Sequence, residues 1–390
     1  MVGVTLVLPL LPYYATEFGA SALMVGILVS AFSLAQLLCA PLWGGISDRY
    51  GRRPAILFGL ATTAVAYVVF AFARSVPLLL LSRVIQGVGG GTIGVVSAYV
   101  ADVSEPEQRT KNLGWLTAVT SLGAVVGPAI GSVLDQTLGR SAPGIAAAVL
   151  AVVTAAFAMR YLPESKGMRL SGAHTVTKKV TGFAAIRGVT ADWRDPASRL
   201  IWIYAIAIGA FYGTGPVFPL VLKERLGVTE HTIGYIFMYF GGMGVVVRAG
   251  ILGKMVDRLG EVRLARIGIA CLAAGLVVFA AARTWPVLIA AITLMPLGTA
   301  FLFPCVTGLL SRVVASTNRG LYLGVQQTYG GVSRVAFPIG AGWVMDHFGR
   351  GVPFAVAAGF VLLTLPLTGA LQPSAVSRQP SEAPGTAAAS

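Results

Sequence analysis

A short charged segment occurs twice in this chain, each time directly after a long apolar segment. Residues 44–53 and 253–263 both read G-x-x-x-D-R-x-G and continue into basic residues. Their aspartates, Asp48 and Asp257, lie about half a chain length apart. Because a charged turn that recurs between apolar segments is typical of internal repeats in membrane proteins, the pattern predicts two related membrane-embedded halves.

The composition supports a membrane protein. Hydrophobic residues make up 56% of the 390 residues and charged residues only 11%, whereas a soluble domain carries roughly 25% charge. A segment of about 20 apolar residues can span a bilayer. Eleven segments of this kind are predicted: 21–46, 54–73, 76–101, 111–134, 143–162, 199–221, 229–254, 264–282, 285–311, 320–344 and 351–371.

A twelfth apolar segment, residues 1–14, comes first and is too short to span an ordinary hydrocarbon core. No basic residue precedes it, and Pro9 and Pro12 make it a poor signal peptide. We therefore expect that the complete first helix begins upstream of Met1.

The net charge of +14 predicts topology rather than nucleic-acid binding. Most lysines and arginines fall in the turns after the even-numbered helices, in a central segment and in the C-terminal tail. Positive loops stay on the cytoplasmic side of a membrane. The sequence thus predicts a multi-pass plasma-membrane protein whose signature loops, central loop and C-terminus are cytoplasmic.

The domain boundaries follow from composition. We expect an N-terminal six-helix bundle over 1–162, a basic cytoplasmic loop over 163–198, a C-terminal six-helix bundle over 199–371 and a disordered tail over 372–390. Part of the central loop, near 181–189, is predicted to form a surface helix.

The first signature loop has a physical rationale. Gly44 allows close helix approach and Gly51 permits a tight turn. Asp48 can accept from the N-terminus of a neighbouring helix. A positive anchor alone is the plainer alternative, but the second copy argues against it. The remaining signature residues are Arg49, Arg52, Arg53, Gly253, Asp257, Arg258 and Gly260.

Arg83 is a cation inside an apolar helix. At the bilayer centre such a residue costs at least roughly 2.5–3.5 kcal/mol. We therefore expect Arg83 to face the bundle interior, where Gln86 or a carbonyl can accept from it, next to Gly87. A helix-packing clamp is the alternative role.

The next apolar segment carries small residues on one helical face. Gly123, Gly127 and Gly131 lie at i, i+4 and i+8, and Pro128 bends the helix. A stripe of this kind most often indicates packing.

These motifs resemble those of the major facilitator superfamily, in particular its twelve-helix drug:proton antiporters. The resemblance runs from Gly3 to about residue 371. It rests on the double signature loop, R-x-x-Q-G-x-G at 83–89, G-x-x-x-G-P-x-x-G at 123–131 and a G-x5-P-x-x-P element that begins at Gly3. It implies an all-α fold of two pseudo-symmetric six-helix bundles around a central cavity, working by alternating access.

The resemblance also implies roles for residues. Arg52 pairs with Asp102 in a cytoplasmic lock that includes Arg109, while Asp48 faces the start of the eleventh helix near Gly320. Arg83, with Gln86, is linked to proton transfer. The glycines and Pro128 of the fifth helix form a hinge at the interface between the halves. Glu261 stands where the first loop has Arg52, so the locks of the two halves should differ.

Two further cations lie inside apolar segments: Arg248, which suits a structural role, and Arg334, for which a structural and a functional role are equally open. Polar and aromatic residues occur on helices that line the family's cavity, although ordinary packing is an alternative for each one. The cavity candidates are Gln36, Tyr204, Tyr212, Tyr235, Tyr239, Gln326, Gln327 and Tyr329. Such a cavity suits apolar or cationic organic molecules.

The sequence therefore predicts proton-coupled efflux of small lipophilic molecules by a monomer in the lipid bilayer. A sugar or other polar-metabolite transporter, or a transport-dead sensor or scaffold, are the alternatives. No nucleophile–base set, metal spacing or cofactor motif is present, so we expect no enzyme, metal or cofactor. All 15 acids lie in loops or at helix ends. Some of the antiporters that the chain resembles carry an acid in the first helix, a few residues before the glycine matched by Gly3, so the resemblance implies a coupling carboxylate just upstream of Met1. Asp102, Asp135 and Asp346 are the alternative acids, or Arg83 carries the coupling without a central acid.

Overall fold

The protein is described by a computed structural model over residues 2–105, 107–164 and 182–369. All regular structure in these ranges is helical. The N-terminal half contains α1 (Val2–Val7), α2 (Leu11–Glu17), α3 (Ala22–Tyr50), α4 (Arg52–Ala71), α5 (Val76–Gly90), α6 (Ile93–Val103), α7 (Arg109–Leu138) and α8 (Ala142–Tyr161).

The remaining helices begin with the short α9 (Gly182–Ala191). The C-terminal half contains α10 (Pro196–Thr214), α11 (Phe218–Leu226), α12 (Glu230–Val246), a π-helical turn (Val247–Ile251), α13 (Leu252–Leu259), α14 (Glu261–Ala281), α15 (Trp285–Val313), α16 (Arg319–Phe348), α17 (Val352–Leu362) and a 3₁₀ turn (Pro366–Thr368).

Most of the eleven predicted membrane-spanning segments are recovered, but 320–344, in α16, and 351–371, whose apolar helix is shorter, are not among the spans. In the described ranges, eight helical segments are long and apolar enough to cross a bilayer, and nine if α10 and α11, bent by 42°, form one span. The pair α1 and α2 is short, as expected. The long α16 is not among these spans, because it carries polar residues such as Gln326, Gln327 and Arg334 along its length.

Several predicted helices are broken, each at a recognisable signal. The first segment is interrupted between α1 and α2, next to Pro9. The fourth is interrupted at Gly91 and Thr92, after a run of glycines. The seventh bends near Pro216, which cannot continue the hydrogen-bond ladder.

The predicted surface helix in the central segment is confirmed as α9. It lies against the C-terminal half, where the Tyr329 hydroxyl donates to the Ile186 carbonyl at 3.2 Å and the Trp202 indole donates to the Val189 carbonyl at 3.4 Å. The rest of the central loop, 165–181, and the predicted tail over 372–390 lie outside the described residues.

The helices α1–α8 pack together, as do α10–α17. The two halves meet along two helix crossings, α3 with α16 and α7 with α12. Because α3 and α12 occupy corresponding places in the two halves, as do α7 and α16, the two crossings are related by the internal repeat.

Candidate functional site

The crossing of α7 and α12 is held by a close backbone contact. A Cβ atom placed on Gly234 would lie 2.2 Å from the Pro128 carbonyl oxygen, so a larger residue does not fit there. The buried Ser132 hydroxyl donates to the Glu230 carbonyl at 2.7 Å and accepts from the Gly234 amide at 3.0 Å. These contacts join the two halves tightly at this point.

The crossing of α3 and α16 repeats this arrangement. A Cβ atom on Gly26 would lie 2.2 Å from the Pro338 carbonyl oxygen. Asp346 accepts hydrogen bonds from the amides of Ala22 and Leu23, at 3.0 and 2.9 Å. Asp346 thus caps the N-terminus of α3 across the boundary between the halves.

Asp135 lies near the end of α7, seven residues after Pro128, much as Asp346 lies near the end of α16, eight residues after Pro338. It is 6% exposed, although it lies near a helix end. The Tyr14 hydroxyl donates to one of its carboxylate oxygens, and Nδ1 of His231, from the other half, lies 3.3 Å from the second. Both crossings therefore carry an aspartate that faces the first turn of a helix in the opposite half.

The other end of the molecule, which carries the signature loops, is open. Nothing lies within 4 Å of a Cβ atom built on Gly44, Gly253 or Gly320, apart from their own chain neighbours and helix backbone. Leu38 and Leu42 of α3 are 63% and 62% exposed. The halves are thus closed at the end opposite the signature loops and apart at the signature-loop end.

Arg52 in the first signature loop forms two ion pairs. Its guanidinium lies 3.1 Å from Asp102 and 2.9 Å from Asp48. The expected approach of Arg52 to Asp102 is present, and it forms within one half while the signature-loop end is open. No atom lies within 4 Å of a Cβ built on Gly320, so the approach of Asp48 to the start of α16 stays a prediction for a conformation in which the signature-loop end is closed.

Glu164 caps the helix that follows the first signature loop. Its carboxylate accepts from the backbone amides of Arg52 and Arg53, at 2.9 and 3.2 Å. Glu164 was not singled out from the sequence for this contact. Arg53 also donates to the Met159 carbonyl, and Arg109 donates to the Ala101 carbonyl at 3.1 Å.

The second signature loop has the same turn and a different ion pair. Gly51 and Gly260 both have positive φ, 108° and 74°, which explains why both copies need glycine there. Glu261 pairs with Arg312 at 2.9 Å, so the prediction that the two loops differ is confirmed. Asp257 and Arg258 are exposed.

A cavity of about 270 Å³ lies between the halves. Its wall is largely apolar and aromatic, and it includes Tyr212 among the predicted cavity residues. Residues that the sequence did not single out form the rest of the wall: Leu8, Pro12, Val29, Ala124, Phe211, Thr214, Gly215, Pro216, Phe218, Phe237, Phe240, Gly241 and Met295.

The other cavity candidates are spread over several environments. Tyr204 accepts from Gln327, and Gln326 is fully buried and accepts from Thr307 at 3.4 Å. Three of the remaining candidates form hydrogen bonds with other residues: Gln36 donates to the Gly90 carbonyl, the Tyr239 and Thr293 hydroxyls share a hydrogen bond, and Tyr329 donates to α9. Tyr235 is 48% exposed.

The model of the Major Facilitator Superfamily matches residues 1–191 and 200–389. The chain belongs to the major facilitator superfamily.

Two bacterial relatives of this superfamily are similar over most of their length. Multidrug resistance protein 2 of Bacillus subtilis (strain 168) is 27% identical, with 93% of this chain and 89% of that protein covered. The class C tetracycline resistance protein of Escherichia coli is 30% identical, with 82% and 80% covered. A solved structure, the human organic anion transporter MFSD10 (TETRAN), is 26% identical with a TM-score of 0.67, and 94% of this chain and 95% of that chain are covered.

In this superfamily member, Arg83 is buried as expected, but the expected hydrogen bond from its guanidinium to Gln86 is not formed. Its guanidinium stacks on the Phe70 ring at 5.1 Å. Gln86 does not accept from it: Nε and Nη2 of Arg83 and both polar side-chain atoms of Gln86 are buried without a hydrogen-bond partner in the described structure. A Cβ on Gly87 would lie 2.4 Å from the Phe32 carbonyl oxygen, so α5 packs directly on α3.

The glycine stripe of α7 also lies elsewhere than expected. Cβ atoms on Gly127 and Gly131 would meet Thr5 and the Leu6 carbonyl of α1 at 2.2 and 2.1 Å, and the Gly123 carbonyl accepts from Thr5 at 3.0 Å. The expectation that Gly127 lies at the interface between the halves is wrong. Pro128, on the other side of the helix, makes that contact.

Proposed function

We propose that this transporter exports small lipophilic molecules across the plasma membrane by proton-coupled alternating access. The observation that carries the proposal is a cavity between two halves that are closed at one end by two matching helix crossings and apart at the other. Two such crossings can open while the signature-loop ends close, which exposes the cavity to the opposite side.

The distribution of basic residues gives the proposal its direction. Arginines and lysines concentrate at the signature-loop end and in the central segment, which favours the cytoplasmic side for that end. On this assignment the conformation is inward-facing, and the helix crossings at Gly26 and Gly234 form the closed extracellular gate.

The cavity wall favours a lipophilic substrate over a sugar. Its phenylalanines, Met295 and proline rings offer stacking and dispersion contacts, with few hydrogen-bond partners. The names of the bacterial relatives, a multidrug and a tetracycline resistance protein, agree with this class. The human relative is named an organic anion transporter, so these names leave the substrate's charge open.

Proton coupling is supported by Arg83 and by the motifs that resemble those of drug:proton antiporters rather than by a carboxylate inside a helix. Every acid in the described ranges lies in a loop or within four residues of a helix end. Arg83 is the buried cation of the N-terminal half. Its Nε and Nη2 have no hydrogen-bond partner in the described structure, so the hydrogen bonds around Arg83 can change when a proton or a substrate binds.

Accumulation in cells tests the proposal. Cells with and without the protein are loaded with tetracycline, the anionic dye 8-anilinonaphthalene-1-sulfonate or the cationic dye rhodamine 6G. We expect lower accumulation of at least one compound in expressing cells, and loss of that difference when a protonophore collapses the gradient. Equal accumulation of all three compounds contradicts export, and a difference that persists without the gradient contradicts proton coupling.

A further inference from the structure

The charges inside the membrane-spanning helices are all positive in the described structure. Arg83, Arg248 and Arg334 lie in helix interiors, whereas the acids lie in loops or near helix ends. A buried charge is costly unless it is paired. Arg83 is enclosed within the N-terminal half, which leaves Arg248 and Arg334 as the cations of the C-terminal half.

Arg334 lies beside a cavity residue. The Arg334 guanidinium lies over the Tyr212 ring, 5.6 Å from its centroid. Tyr212 is 47% exposed and forms part of the wall of the cavity between the halves. A guanidinium is thus placed at the edge of the proposed substrate cavity.

Arg334 is held in place with hydrogen-bonding capacity left over. Its Nη2 donates to Oε1 of Gln327 at 3.2 Å, and Nε2 of Gln327 donates to the Tyr204 hydroxyl at 3.2 Å. Its Nε is buried without a partner in the described structure. A guanidinium presents several donors in a planar fork that matches a carboxylate or sulfonate. An anion in the cavity would give these donors the acceptor they lack.

We propose that Arg334 and Tyr212 bind the negatively charged group of an amphipathic organic anion. Its aromatic part occupies the cavity beside Phe211, Phe237 and Phe240. A cationic molecule would meet the positive charge of Arg334 and no carboxylate there, so the geometry opposes the cationic class that the sequence had allowed. The inference rests on the proposed function for its physiological meaning, but binding is measurable without transport.

Equilibrium dialysis of the purified full-length protein in detergent tests it with three ligands of one ring system: 2-naphthoate, its neutral methyl ester and 2-naphthylmethylammonium. We expect the anion to bind at least about tenfold more tightly than the cation, which is about 1.4 kcal/mol in binding free energy. Cation binding as tight as anion binding overturns the proposal.

Variants assign the effect to Arg334. Arg334→Gln should remove most of the anion preference while binding of the neutral ester persists, which shows that the cavity is intact. Arg334→Lys keeps the charge and should keep part of the preference. Arg283→Gln, in the turn before α15, is the matched control and should change nothing. An anion preference that survives Arg334→Gln contradicts the site.

The outcomes separate this inference from the proposed function. Anion-selective binding without any proton-linked transport contradicts the proposed function and leaves the site standing. Proton-linked export together with anion and cation binding of equal strength contradicts the site and leaves the transport function standing.

Discussion

Glu261 and Arg312 form an ion pair in the second half, at 2.9 Å, that corresponds to the pair of Arg52 and Asp102 in the first half, at 3.1 Å, with the charges exchanged. In each half, one partner is the residue that follows the glycine of the signature loop, Arg52 or Glu261. The other partner, Asp102 or Arg312, lies near the end of the fourth predicted span of the same half. Both pairs form while the signature-loop end is open, so each stabilises its own half rather than bridging the two.

The exchanged charges predict a reciprocal rescue. Glu261→Arg places two cations together and should lower the transport rate by roughly tenfold, while the double substitution Glu261→Arg with Arg312→Glu should restore most of it. The double variant recreates the arrangement of the first half, including an aspartate, Asp257, one turn before the arginine. Folding should be little affected, since a pair with an exposed partner contributes roughly 0–1 kcal/mol. Failure of the double variant to recover, at equal expression, would count against the pairing.

Gly234→Leu should prevent closure of the gate opposite the signature loops. The contact of Gly234 with the Pro128 carbonyl leaves no room for a side chain, and overpacking of this kind costs roughly 1–3 kcal/mol in the closed arrangement alone. The expected result is a longer distance across that end, measured by double electron–electron resonance between labels at Leu138 and Glu224, and loss of transport. Gly359→Leu is the control, because nothing lies within 4 Å of a Cβ at Gly359. An unchanged distance in Gly234→Leu would remove Gly234 from the gate.

Asp346→Ala should weaken the same gate at the other crossing. The substitution removes the carboxylate that accepts from the amides of Ala22 and Leu23. A carboxylate at a helix N-terminus contributes roughly 0.3–1 kcal/mol, and up to about 2 kcal/mol when partly buried. The ratio of open to closed gate, measured with the same spin labels in the otherwise unchanged protein, should therefore rise by roughly twofold to fivefold, and by up to about thirtyfold at the upper value. Asp192→Ala, an exposed acid near α9, should leave the ratio unchanged.

The sequence was sufficient to predict the spans, the signature turns and the second-half departure at Glu261, because these depend on local hydrophobicity, on glycine at positive φ and on the internal repeat. Contacts that need the assembled bundle were not accessible in this way. Helical periodicity places Gly127 and Gly131 on one face of α7, but it does not say that α1 covers that face while Pro128 meets α12.

The same limit explains the residues that were missed or misassigned. Asp135 lies near a helix end, where an acid is usually solvated, and only the docking of α2 and α12 buries it. Glu164 comes from the start of the polar central segment, so its contact with the first turn of α4 depends on where α8 ends. The donors of Arg83 find an aromatic ring rather than Gln86, because side-chain direction in a packed bundle is decided by neighbours on other helices.

Proteoliposomes of the purified protein test most directly whether a proton gradient drives export through this gate. Uptake of tetracycline and of 8-anilinonaphthalene-1-sulfonate is measured after imposing an acidic lumen, for the unchanged protein and for Gly234→Leu. We expect uptake of at least one compound to be several-fold faster with the acidic lumen than without it, and Gly234→Leu to abolish this uptake. Equal uptake with and without the gradient, or full uptake by Gly234→Leu, would contradict gradient-driven export through this gate.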